Sequence, residues 1–190
     1  MAGFDEQLGR DLDEIRDAGL WRELREIESA QSTRVTLDGR EFINFSSNDY
    51  LGLAGHPALG QAARSAVGQF GVGSGASRLI CGSLQPHHEL ESVLAKWQGT
   101  ESALVFSTGF AAAQGVLTSL LGQGDVVILD KKAHASMIDA AKLSGATLRV
   151  FRHNDLENLE KLLQWAADRG GRVLVASESE IGRASCRERV

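Results

Sequence analysis

Apolar residues recur at three- and four-residue spacing near the start of the chain: Phe4, Leu8, Leu12, Ile15, Leu20, Leu24 and Ile27, with charges between them. That stripe predicts an amphipathic helix over residues 4–27, interrupted near Gly19. The rhythm then changes. Residues 34–45 form two β-rich stretches on either side of Asp38-Gly39, a strong signal for a tight hairpin. Residues 46–56 read as a polar, glycine-containing loop, 58–70 as a helix, and 71–77 as a flexible glycine-rich segment.

From Pro86 onward the pattern is regular. Leu90, Val93, Leu94 and Trp97 mark a helix that opens near Pro86 and stops at Gly99. Residues 102–107 read as a buried strand and 110–121 as a helix. Residues 125–129 read as a second strand, 135–143 as a helix ending at Gly145, and 147–151 as a third strand. Asn154 or Asp155 caps a helix with Leu156, Leu159, Leu162, Leu163 and Ala166 on one face, and 172–177 supply a fourth strand. Strands and helices alternating in this way predict an α/β fold, a mostly parallel sheet flanked by helices. Residues 1–57 read as an N-terminal arm of helix plus hairpin, and 58–179 as the first part of a larger α/β domain. The tail, 180–190, has neither β nor helical periodicity and reads as a non-native segment.

Composition narrows the picture. The 190 residues are 43% hydrophobic and 24% charged, as in ordinary soluble domains. A formal net charge of -5 gives no reason to expect nucleic acid or an anionic membrane as partner. No apolar run approaches the roughly 20 residues that span a bilayer. The acidic start lacks a secretion signal, and two cysteines, Cys81 and Cys186, make neither a disulfide framework nor a metal site. The expectation is a reduced, cytoplasmic protein with no metal. Twenty-one glycines against two prolines point to tight turns and backbone that approaches a ligand closely.

Four segments carry candidate chemistry. In residues 102–113 a strand ends, Gly109 turns the chain, and a helix begins. The first helical N–H groups lack backbone partners and sit at the positive end of the helix dipole. A phosphate there would accept from the amides of Thr108, Gly109 and Phe110, and Phe110 would brace a ring. Any βα turn can contain glycine, however. His134 follows a strand and opens a helix, so it belongs to the carboxyl edge of the sheet, where open α/β folds bind ligands. It suits stacking on a ring or bonding a carboxylate, and equally suits a helix cap or a core position. In the loop after the hairpin, Asn48 can donate to a carboxylate or phenolate, or the loop can simply satisfy its own backbone. The glycine run at 71–83 has no Gly-Lys-Ser/Thr, so it is no nucleotide loop, and Arg78 within it is either an anion contact or a solvated side chain.

Taken in order and spacing, Asn44-Phe-Ser-Ser-Asn-Asp-Tyr-Leu-Gly-Leu53, Gly73-Ser-Gly-Ala-Ser-Arg78, His88-Glu-Leu-Glu91, Ser107-Thr-Gly-Phe110 and His134-Ala-Ser136 resemble the α-oxoamine synthases, fold-type I pyridoxal-phosphate enzymes. The resemblance covers residues 4–179. It implies a truncated fold-type I large domain and pyridoxal 5'-phosphate as cofactor, bound by Thr108, Gly109, Phe110, His134 and Glu178. His134 is the implied catalytic residue, stacking on the pyridine ring and touching substrate. Arg22, Asn48 and Ser77 are implied substrate contacts: Arg22 for the acyl group, Asn48 and Ser77 near a carboxylate, with Ser77 serving the neighbouring subunit of a homodimer. The implied reaction is decarboxylative condensation of an amino acid with an acyl-CoA or acyl carrier protein. Arg22 favours L-alanine with a pimeloyl thioester, a step of biotin synthesis. Glycine with acetyl-CoA is the alternative within the family, and a non-catalytic α/β fragment is the alternative outside it.

After Ser179 the sequence departs from the family pattern. The family's cofactor lysine, the aspartate that pairs with the pyridine nitrogen and a second histidine all fall beyond that break. None of Lys96, Lys131, Lys132, Lys142 and Lys161 matches the Schiff-base position. The chain alone is therefore expected to be inactive and, with an unfinished sheet, prone to aggregate.

Overall fold

The computed structural model describes residues 3–178, and the chain divides into two compact units, Met1–Gly82 and Ser83–Val190. The tail at 180–190 lies outside the described residues.

In the first unit, helix α1 (Phe4–Asp17) is followed by strands β1 (Arg34–Leu37) and β2 (Arg40–Ile43) and helix α2 (Pro57–Phe70). The helix expected over 4–27 ends early. Gly19 takes a left-handed φ of 67°, its amide donates to the Arg16 carbonyl and the Leu20 amide to that of Ile15. This terminates α1 in a Schellman motif, and residues 20–27 are not helical despite their spacing. The hairpin is antiparallel, Arg34 opposite Ile43, and Asp38 and Gly39 both adopt positive φ (51° and 66°), as a type I′ turn requires. Helix α2 starts at Pro57, where no amide is needed, with His56 Nδ1 accepting from the Ala58 amide. The glycine-rich stretch then runs into a single π-helical turn, Arg78–Gly82, that the sequence pattern did not announce.

The second unit contains helix α3 (Gln85–Gln98), helix α4 (Gly109–Leu120), strand β3 (Val126–Asp130), helix α5 (Ala135–Ser144), strand β4 (Thr147–Phe151), helix α6 (Leu156–Ala167) and strand β5 (Val173–Ala176). The sheet has order β4-β3-β5 and is wholly parallel, with Val126 opposite both Thr147 and Val173. Strand β3 is central and all five of its residues are buried. Its side chains alternate between faces. Val127 and Leu129 pack with Leu117, Leu121, Ala140 and Ala141 of the α4–α5 layer. Val126 and Ile128 pack with Phe151 and Ala166 on the α6 side. A continuous apolar run with helices on both faces is what a buried parallel strand demands.

The strand expected at 102–107 does not form. Strand β3 already has a partner on each edge, and neither outer strand pairs with residues 102–107, which run irregularly. The segment is held by other contacts. The Val105 amide donates to the Glu91 carboxylate, and the Phe106 ring occupies the space where Gly115 of α4 has no side chain; a Cβ there would lie 2.6 Å from the ring.

Two aspartates bracket β3. At its start, Asp125 accepts from the amides of Arg172 and Gly122 and from the Arg172 guanidinium, tying β3 to β5. Those amide bonds hold its carboxyl below the ordinary pKa, against the opposing effect of desolvation. At its end, Asp130 is buried and accepts from the Lys132 amide (2.8 Å), His153 Nδ1 (2.9 Å) and Ser177 Oγ (3.3 Å). Burial pushes the Asp130 carboxyl up, but these donors together hold it below the ordinary value. Among the described residues, no helix is long and apolar enough to cross a membrane.

Candidate functional site

The carboxyl ends of β3 and β5 lead into residues 131–134 and 177–178, beside the N-termini of α4 and α5. A cavity of about 610 Å³ opens there, on the α4–α5 face of the sheet. Gly109, Phe110, His134, Ser136 and Glu178 line its polar part. Val116, Leu117, Met137, Leu174 and Ala176 form an apolar wall. A concave site with a few convergent polar groups on an apolar lining suits a small aromatic ligand.

Helix α4 points its N-terminus at this cavity. Thr108 is its N-cap: its hydroxyl accepts from the Ala111 amide at 3.0 Å and its carbonyl from the Ala112 amide at 3.0 Å. The next two amides, of Gly109 and Phe110, have no protein partner among the described residues. They are donors at the positive end of a 12-residue helix. A Cβ on Gly109 would meet nothing within 4 Å, so the backbone is open to close approach. Thr108 itself does not line the cavity; its side chain is spent on the cap.

His134 opens α5 and is exposed. Its amide donates to Glu178 Oε2 at 2.7 Å, joining the two loops that leave β3 and β5. Its Nδ1 accepts from the Ser136 amide at 3.2 Å and lies 2.8 Å from Ser136 Oγ. His134 therefore does both things its position allowed: it caps a helix and lines the cavity. Behind it, Asp130 pins Lys132 and Ser177, one loop residue on each side of the site. Sequence reasoning missed Ser136, Met137, Asp130 and the His153 that bonds it. The Asp at a strand end was a readable signal; the partner 23 residues away was not.

The structure thus brings Gly109, Phe110, His134 and Glu178 together. Arg22, Asn48 and Ser77 belong to the first unit, where each is exposed. The loop around Asn48 satisfies its own backbone through Asp49, which accepts from the Leu53 and Ala54 amides. No lysine lines the cavity among the described residues. Nor, among the described residues, does any group of three or more His, Cys, Asp or Glu converge as a metal would need.

A parallel sheet between helix layers, with an open helix N-terminus at a ring-sized cavity, points to the class. The chain belongs to the aminotransferase class I and II family, whose model matches residues 40–179. Among curated proteins it is similar to 8-amino-7-oxononanoate synthases. The one from Exiguobacterium sibiricum is 49% identical over 91% of this chain and 44% of its own length. The one from Geotalea daltonii is 45% identical over 90% and 43%. Among solved structures it is similar to Sphingomonas wittichii serine palmitoyltransferase (TM-score 0.76, 32% identity, 90% of this chain and 43% of that one). It also resembles an S. paucimobilis serine palmitoyltransferase with PLP and myriocin bound (0.79, 29%, 94% and 47%). The chain spans less than half the length of each of these relatives.

Proposed function

We propose that this chain carries the phosphate- and ring-binding part of an 8-amino-7-oxononanoate synthase, which condenses L-alanine with a pimeloyl thioester. The observation that carries the reading is the meeting of the two unpartnered amides of Gly109 and Phe110 with the His134 ring and the Glu178 carboxylate in one cavity. Pyridoxal 5'-phosphate fits that donor set. Its dianionic phosphate would accept from Gly109 and Phe110, and its ring would lie against His134 and the apolar wall. When bound, this cofactor supplies an electron sink for the amino acid's α-carbon. The chain's own residues bind and orient. Helix α4 fixes the phosphate, His134 covers the ring, Glu178 holds His134 in place, and Leu174 and Ala176 keep water from the floor. Identity of 45% and 49% to 8-amino-7-oxononanoate synthases supports alanine and pimeloyl as substrates over other pairs. Arg22, Asn48 and Ser77 are proposed substrate contacts of the homodimeric whole protein.

Gly109 allows a clean test. It occupies the first helical position, where proline is well accommodated, and Thr108 before it is extended (φ -147°, ψ 155°), as a residue preceding proline prefers. Gly109→Pro removes one phosphate donor without removing a helix bond. The expected result is an unchanged melting temperature and a loss of roughly tenfold or more in affinity for pyridoxal phosphate, the value of a hydrogen bond to a charged group. Equal affinity in the variant would overturn the phosphate assignment. Supplied with cofactor, alanine and pimeloyl-CoA, the 190-residue chain is expected to give no product, because no lysine among the described residues lines the cavity. Enzyme-like turnover would contradict this.

A further inference from the structure

We infer that the first turn of α5 fixes His134 as the tautomer protonated at Nε2, so that it offers the cavity a hydrogen-bond donor and has no lone pair left to act as a base. Three atoms of His134 are committed. Its amide is bound by Glu178, its carbonyl accepts from the Met137 amide at 2.9 Å, and its Nδ1 accepts from the Ser136 amide at 3.2 Å. The last contact decides the tautomer. A backbone N–H donates at every pH and cannot be turned around, so the atom it faces must present a lone pair. Protonating Nδ1 would set one N–H against another and leave the Ser136 amide unbonded inside a buried residue. The Ser136 hydroxyl, 2.8 Å away, rotates to donate to the same nitrogen. In a neutral imidazole with Nδ1 bare, the proton is on Nε2. No protein atom among the described residues takes Nε2, and the ring lines the cavity.

The same chain holds the opposite case. His153 Nδ1 lies 2.9 Å from the buried Asp130 carboxylate, which only accepts, so that nitrogen must carry a proton. His134 and His153 are thus internal references for each other. Within the proposed reaction, and resting on that reading, His134 stacks and donates.

The test is nitrogen-15 NMR of the histidine rings in the 190-residue chain without cofactor, near pH 8, above the ordinary histidine pKa of about 6.5. The outcome is independent of whether pyridoxal phosphate binds. His134→Asn identifies the His134 signals by their loss. The expected spectrum has a bare Nδ1 and a protonated Nε2 for His134, in roughly tenfold or greater excess, and a protonated Nδ1 for His153. Ser136→Ala keeps the amide and is expected to keep the His134 pattern. A protonated Nδ1 in the wild-type chain, an even mixture, or a switch of tautomer in Ser136→Ala would overturn the inference.

Discussion

The two units are built on opposite principles. In the first, Val35 is the one buried apolar side chain among the described residues, and Phe4, Leu20, Phe45 and Leu51 are exposed. Its elements are specified locally, by a Schellman stop, a type I′ turn and a proline at a helix start. In the second, Val127, Ile128 and Leu129 are completely buried, and the central strand is packed from both faces. Local signals suffice to draw helices and hairpins. A built site requires the second kind of order, because only a buried sheet holds the ends of separate strands in register. The site residues that come together, from Gly109 to Glu178, are those whose elements share that sheet and its helix layer.

The largest expected effect breaks the second unit alone. Leu129→Ala should cost about 2–5 kcal/mol, since it deletes a fully buried side chain at the strand centre. Urea denaturation should show the second unit's transition collapse, whereas Val35→Ala should leave that transition in place. Next is Asp130→Asn, which weakens bonds to three segments at once and should cost about 1.5–3 kcal/mol. Its pH signature has a definite sign. The folded carboxyl titrates below its unfolded value, so its stabilisation is complete above roughly pH 5 and is lost as pH falls through the folded pKa. Melting temperature should therefore drop with acid in the wild type and drop less in Asp130→Asn; a steeper acid loss in the variant would refute the sign. The smallest effect is Gly39→Ala, which strains a residue at φ 66°. About 1 kcal/mol of local fraying is expected at the hairpin amides in hydrogen exchange, with the second unit's melt unmoved.

The sequence pattern foresaw most of the second unit because its elements combine a strong period with an explicit stop: Gly99, Gly145 and the Asp155 cap all fall where expected. It failed where period and tertiary setting disagree. Leu20, Leu24 and Ile27 keep helical spacing past a glycine that ends the helix, and 102–107 has strand-like residues but pairs with neither outer strand of the sheet. At the site, the places of Gly109, Phe110 and His134 were legible because a helix start is a local event, even though the strand expected before Gly109 does not form. The bond from the His134 amide to Glu178 was not, since its partner lies 44 residues away. Nor was the Asp130–His153 pair, which forms only once β3 and β4 lie side by side.

Exposed apolar groups of the second unit, including Leu104, Trp97, Val173 and Val175, should make the isolated chain self-associate. Light scattering that shows a soluble monomer at micromolar concentration would contradict this.

The most direct measurement is a titration of the labelled chain with pyridoxal phosphate, read at individual backbone amides and at the His134 ring. Shifts of Gly109, Phe110 and His134 that saturate together, with one dissociation constant, are the result this structure predicts. Saturation of the Gly109 and Phe110 amides without His134, or binding that leaves all three unmoved, would show that they do not form one site.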